Sequence, residues 1–242
     1  MKKMDVVTNN IANADTRGFK RDRIVTQAFS EEMFKKLDDR KYEMLDHSQN
    51  IGEVSLGVFV ESVHTDFSNG AFEKTEAPLD VAISGEGFFC ITTDGDDEKY
   101  TRDGSFTLDP QGYLRTTEGN FVKGEDGLIN VASGYNEGNI SIDQIGNIYS
   151  GTEIIGRLKM INFSNPDSLR KAGDNLYDRI EESEEAPFEG TVVQGYIEMS
   201  NANSVQEMVE MINSARVYEA NSKAIKTHDS ILQRVVNDVG KK

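Results

Sequence analysis

The residues best placed to do chemistry begin at Gly85. Gly85-Glu86-Gly87-Phe88-Phe89-Cys90 opens like a glycine-rich loop that brings backbone close to a dinucleotide's pyrophosphate at a helix N-terminus. Cys90 stands where the third glycine belongs, and Phe-Phe-Cys-Ile is a strand pattern that offers no such helix. The segment therefore reads as a β-turn. Asp94-Gly95-Asp96-Asp97-Glu98 lacks the alternating ligands, central glycine and closing glutamate of a calcium loop, and reads as a hairpin tip. His47, His64 and His228 share no metal-ligand spacing. Cys90, the one cysteine, has no partner for a disulfide and lies in an apolar run suited to a buried, inert thiol. No Ser, Thr or Cys occupies a nucleophile elbow, and among 42 acidic residues chance carboxylate pairs identify no glycosidase. The expectation is no catalytic residue, no cofactor and no metal.

Charge narrows the partners. The net charge of −16 over 242 residues opposes nucleic acid, whose phosphates require a basic face, and opposes anionic membrane surfaces. No run approaches the ~18 apolar residues of a membrane span. Lys2, Lys3 and Asp5 followed by Thr8, Asn9 and Asn10 do not form the apolar core of a cleaved signal peptide. With 37% hydrophobic residues and 21 Gly, the composition suits an extended molecule with much surface.

Periodicity then divides the chain. Met4, Val7 and Ile11 form one stripe and predict a helix over 4–14, stopped near Gly18-Phe19. Residues 24–46 carry a weaker pattern, helical or irregular. From about residue 51 alternation predicts strands, beginning with Val54, Leu56, Val58, Val60 and Val63. They continue over 80–83, 87–92, 99–102, 105–108, 113–116, 120–123, 128–131, 139–143, 147–150, 153–163 and 191–197. Turn residues between them suggest an antiparallel sheet folded on itself.

Helix returns at the C-terminus. Ser200 to Ser204 supply capping candidates, with Glu207 as capping-box partner to Ser204. Met208, Met211, Ala215, Tyr218, Ser222, Ile225, Asp229, Leu232, Val236 and Val239 then follow at alternating intervals of three and four, a coiled-coil-type seam. Val205, Val209 and Ile212 widen its start. A helix of this length, about 54 Å, exceeds what a core of this size needs, so part of it requires other chains. The layout is α+β: helical segments 1–20 plus 200–242, a linking segment 21–50, and a mainly antiparallel β domain over 51–199.

Three segments resemble the flagellar rod and hook family. Met4-Asp5-Val6-Val7-Thr8-Asn9-Asn10-Ile11-Ala12-Asn13-Ala14-Asp15-Thr16-Arg17-Gly18-Phe19-Lys20-Arg21 looks like its N-terminal signature. Asp80 to Phe89, with Tyr100 to Phe106 and Leu108-Asp109, is similar to the β core of its rod proteins. Gly195-Tyr196-Ile197-Glu198, Ser200-Asn201 and Glu219 to Lys223 resemble its C-terminal helix motif. Within the family, the C-terminal motif points to distal rod proteins and the short 30–55 stretch to proximal ones.

The resemblance implies a structural rod subunit with no enzymatic activity, binding its own copies and other rod and hook proteins. It also implies passage through the flagellar export apparatus without a cleaved signal peptide, and a further helical stretch ahead of Met4. Its assembly interface would include Asn9, Asn10, Asn13, Gly18 and Phe19 from the first helix. From the seam it would take Met208, Met211, Ala215, Tyr218, Ile225, Leu232, Val236 and Val239. Gly18 would let the chain turn out of the helix, and Lys20-Arg21 would face acidic neighbours. Two other readings stand beside this one. A hook subunit would be longer. A carbohydrate-binding or enzymatic β domain with a helical tail would want a tryptophan platform, and the chain has no Trp.

Overall fold

The computed structural model describes residues 2–28, 58–93, 97–131, 140–180 and 183–239. Helix α1 spans Lys2–Ala12, and strands β1 (Asp22–Ala28) and β2 (Val58–Thr65) pair antiparallel. There follow β3 (Phe72–Lys74), β4 (Val81–Ser84), β5 (Phe88–Thr92), β6 (Glu98–Thr101), β7 (Phe106–Leu108), β8 (Leu114–Thr116), β9 (Phe121–Gly124) and β10 (Gly127–Leu128). The next group is β11 (Ile140–Ile142), β12 (Asn147–Ser150), β13 (Glu153–Arg157), β14 (Met160–Phe163), β15 (Leu169–Gly173) and β16 (Leu176–Arg179). Last come β17 (Glu185–Ala186), β18 (Thr191–Gln194), β19 (Tyr196–Glu198) and helix α2 (Ser204–Val239).

The largest sheet runs β15-β16-β6-β5-β9-β8-β7, with β10 on β9 and β14 bridging β5 to β17. A three-stranded sheet β11-β12-β13 and the pairs β1-β2, β18-β4 and β19-β3 complete it. Every strand pairing among the described residues is antiparallel, as the alternating pattern predicts.

Strand β5 explains why its sequence does not alternate. All five residues are buried, because both faces are covered. Phe89 points into a core with Val81, Ile83, Phe106 and Leu114. Phe88 and Cys90 point into a second one with Tyr100, Phe163 and Tyr177. Cys90 is the inert thiol expected of it, since burial pushes its titration far above the ordinary range. The two glycines ahead of β5 have a local purpose. Gly87 sits at φ +136, and a Cβ there would lie 2.5 Å from the Phe188 ring.

Several boundaries differ from the sequence reading. Residues 22–28 form a strand rather than a helical or irregular stretch: Ile24, Val25 and Thr26 are β-branched, and β2 gives them partners at Val63, Ser62 and Val60. The rest of the 24–46 pattern and Val54 and Leu56 lie outside the described residues, as do Asp94 to Asp96 of the predicted hairpin tip. The hairpin itself exists, for β5 pairs with β6. The 153–163 run is two strands, because the chain leaves β12 after Arg157 and joins β5 from Met160. The 191–197 run also breaks, at Gly195 with φ +76, passing from β4 to β3. The hairpin β15-β16 was hidden by its charged strands. Its signal is the two-residue Asp174-Asn175 turn, with φ +47 and +56, the geometry of a type I′ hairpin.

Candidate assembly site

The three signature segments meet in one buried junction below α1. The helix stops at Ala12, ahead of the predicted Gly18-Phe19 signal, and Gly18 turns the chain six residues later at φ +64. Its N–H donates to the Glu198 carbonyl at 2.7 Å. A Cβ on Gly18 would stand 2.4 Å from the Asp103 nitrogen, so conformation and space both require glycine. Two residues on, the Lys20 ammonium donates to Glu198 Oε1 at 2.5 Å and to the Ser68 carbonyl at 2.8 Å. The Gly70 N–H donates to the same Oε1 at 2.8 Å.

Arg102 completes the group. Its Nη1 donates to Glu198 Oε2 at 3.4 Å and its Nη2 to the Gly85 carbonyl at 2.8 Å. The side chains of Lys20 and Glu198 are fully buried, and that of Arg102 is 2% exposed. Burial pulls the Lys20 ammonium below its ordinary range, while Glu198 pulls it back up. Arg102 feels the same opposition and stays charged, as guanidinium does in proteins.

Lys20-Arg21 therefore do face acidic groups, but in their own chain. Arg21 pairs with Asp66 at 3.2 Å, and its backbone N–H donates to Asn201 Oδ1 at 2.8 Å. Asn201 Nδ2 donates to the Asp66 carbonyl at 2.7 Å. Around the first helix, Asn10 is buried and exchanges two hydrogen bonds with the Asp22 backbone, both 3.0 Å. Phe19 is buried, with the Lys171 ammonium 4.3 Å from its ring centroid. Asn13 donates to the Asn9 carbonyl at 2.9 Å, and Asn9 is exposed. Of the N-terminal candidates, Asn10, Gly18 and Phe19 thus hold the chain to itself, and Asn9 faces outward.

Sequence reasoning missed Arg102 and Glu198 as functional positions. Their only signal is a charge inside an apolar strand pattern, Tyr-Thr-Arg-Asp and Tyr-Ile-Glu-Met. Hydropathy alone assigns such residues to the surface.

Elsewhere carboxylates are held ionised. Glu98 meets Lys159 at 2.5 Å and Lys123 at 3.2 Å. Burial tends to raise its pKa, but these lysines outweigh it and the net shift is downward. Asp66, held by Ser68 and Arg21, and Asp143, held by Asn147 and Tyr149, are also lowered despite opposing desolvation. Burial raises Asp103. The sign follows from proton counting. A lowered group contributes stability above its ordinary value, 3.8 for Asp and 4.5 for Glu, and loses it as pH falls through the folded value. Raised Asp103 does the reverse, against four lowered groups, since Asp109, which accepts from the Tyr113 N–H and from Arg115, is lowered too. Melting temperature should therefore hold steady down to about pH 5 and fall below about pH 4; a rise on acidification would contradict this balance of groups.

From the junction α2 projects. Asn203 caps it, with Oδ1 accepting from the N–H groups of Val205 and Gln206, each at 3.1 Å. Of the five capping candidates from Ser200 to Ser204, Asn203 is the one that reaches both orphan donors. Helix α1 lies along the start of α2, with Lys3 on Glu210 at 2.9 Å. Met211 and Ala215 are half-buried there. Beyond α1 the seam is bare: Tyr218 is 55% exposed, Ile225 63%, Leu232 59% and Val236 68%. Met208 is exposed too, and Val239 is the last helical residue.

No group of three or more metal-ligating side chains exists among the described residues, and no helix there is long and apolar enough to cross a membrane.

Comparison with known proteins agrees with this geometry segment by segment. Residues 193–238 match the family model described as flagellar basal body rod FlgEFG protein C-terminal, residues 82–150 the flagellar hook protein FlgE/F/G D1 domain, and residues 1–20 the flagella basal body rod protein. The chain is 36% identical over 246 residues to the flagellar basal-body rod protein FlgG of Buchnera aphidicola subsp. Acyrthosiphon pisum, covering 96% of this chain and 92% of the relative. Identity is 33% to FlgG of Bacillus subtilis, over 97% of this chain and 92% of the relative. To the rod protein FlgF of Caulobacter vibrioides it is 30%, over 99% and 93%.

Proposed function

The chain belongs to the flagellar basal-body rod protein family, and on that premise we propose that it polymerises into the axial drive shaft carrying torque from motor to hook. It is a structural subunit of the basal-body rod, not an enzyme. Its partners are rod and hook proteins. In the proposed assembly, residues 1–20 with 200–242 form the inner helical part, 21–50 the link and 51–199 the outer domain. The subunit travels through the flagellar export apparatus without a cleaved signal.

The observation that carries this reading is a long helix, capped by Asn203 and packed on α1 at its base, with the outer part of its apolar seam exposed. Exposed apolar surface of this extent marks an interaction site. Tyr218, Ile225, Leu232, Val236 and Val239 belong to the proposed inter-subunit contact, with Met208, Met211 and Ala215 where α1 meets it and Asn9 on the outer face of α1. One surface binding a different surface on the next copy builds an open helical polymer, and the buried junction keeps the angle between helix and β domain fixed along it.

Removing residues 204–239 tests the reading. Basal bodies from cells carrying this deletion should lack a complete rod and the cells should not swim, while the purified shortened chain keeps its β circular dichroism. Complete rods in the deletion strain would overturn it.

A further inference from the structure

The segment 191–201 touches every other part of the junction. β18 is the only strand partner of β4 among the described residues, and Val81, Ala82 and Ile83 of β4 are wholly buried. β19 stands in the same relation to β3. Glu198 supplies the carboxylate to Lys20, 178 residues away in sequence, and to Arg102, 96 residues away. Asn201 ties together the backbones of Arg21, Asp66 and Ser68.

Consider the chain before this segment has joined. Lys20 and Arg102 would be two cations moving into an apolar interior without their main counter-charge, left with only the weaker pull of Asp66 and Glu86, a state that burial penalises heavily. The backbone groups of β4 would be buried along an unpaired edge. A strand core lacking its partner and its carboxylate has no route to a closed state. By contrast, the bare part of α2 contributes little to the β body.

We propose that residues 191–201 act as a closing strap: the β domain cannot close around β4 until this segment arrives, so a chain lacking it stays open. The strap is a property of the folded chain and stands whether or not the chain assembles.

The test is refolding of the full chain from urea with pulsed hydrogen exchange. Amides of β4, β5 and β6 should gain protection in the same kinetic phase as those of β18 and β19. Glu198→Gln, which keeps the shape and removes the charge, should slow that phase by at least about ten-fold. Protection of β4 to β6 while 191–201 still exchanges freely would overturn the proposal, as would Glu198→Gln refolding at the wild-type rate. If Glu198→Gln fails to fold, the wild-type labelling order decides alone: protection of β4 to β6 together with β18 and β19 upholds the strap, and protection ahead of them overturns it. The wild-type labelling order needs no substitution and can still refute it.

Discussion

Glu198→Ala will lower the unfolding free energy of the isolated chain by about 3–5 kcal/mol, and its melting temperature by roughly 6–20 °C for a chain of this size. The magnitude comes from what is left behind. Lys20 and Arg102 remain buried with no carboxylate between them, and the Gly70 N–H loses its acceptor. Breaking a buried ion pair from one side costs far more than the pair is worth as a whole. The same logic gives a control: Lys20→Met placed on Glu198→Ala removes one orphaned cation and should restore part of the loss. Differential calorimetry of the three proteins measures this. A change below about 1 kcal/mol for Glu198→Ala, the scale of an ordinary surface substitution, would show that the junction does not bear on stability.

Leu232→Asp should behave in the opposite way, leaving the isolated chain stable and abolishing motility. Leu232 is 59% exposed, so the substitution removes little burial from the monomer and adds a helix-propensity penalty of only about 0.5 kcal/mol. In a polymer the accounting changes. Burial of a leucine between chains contributes roughly 1.5–3 kcal/mol, and an unpaired carboxylate there adds a desolvation penalty of several kcal/mol. Every copy repeats the defect. Thermal unfolding of the pure variant and swimming of cells carrying it give the two readouts. A helix that served only its own domain would lose melting temperature instead, and normal swimming would remove the seam from the interface.

How far the sequence could be read depended on the range of the interactions involved. Local periodicity was enough for α1, for the 36 residues of α2 and for most strands. It failed at β15 and β16, where Arg170, Lys171 and Asp178 mask a hairpin set by its turn. Among the five capping candidates from Ser200 to Ser204 it did not single out Asn203, since choosing between adjacent caps depends on a side-chain reach that spacing does not show. The junction was legible only as motifs. Lys20, Arg102 and Glu198 could each be quoted as part of a familiar run. Their meeting is a tertiary event across 178 residues that no local pattern encodes. The seam was legible as a stripe, and the structure adds that its outer part is exposed, uncovered by the described residues.

Binding of this seam to other subunits would hide Ile225 in the assembled rod. Ile225→Cys introduces a thiol at a site 63% exposed in the isolated chain. The native Cys90 is buried, with its thiol titration raised, so a maleimide reports the new position. Labelling should be rapid in the isolated chain and at least about ten-fold slower in intact purified basal bodies. Equal rates in the two states would mean that the seam stays open to solvent in the rod and is not the inter-subunit contact.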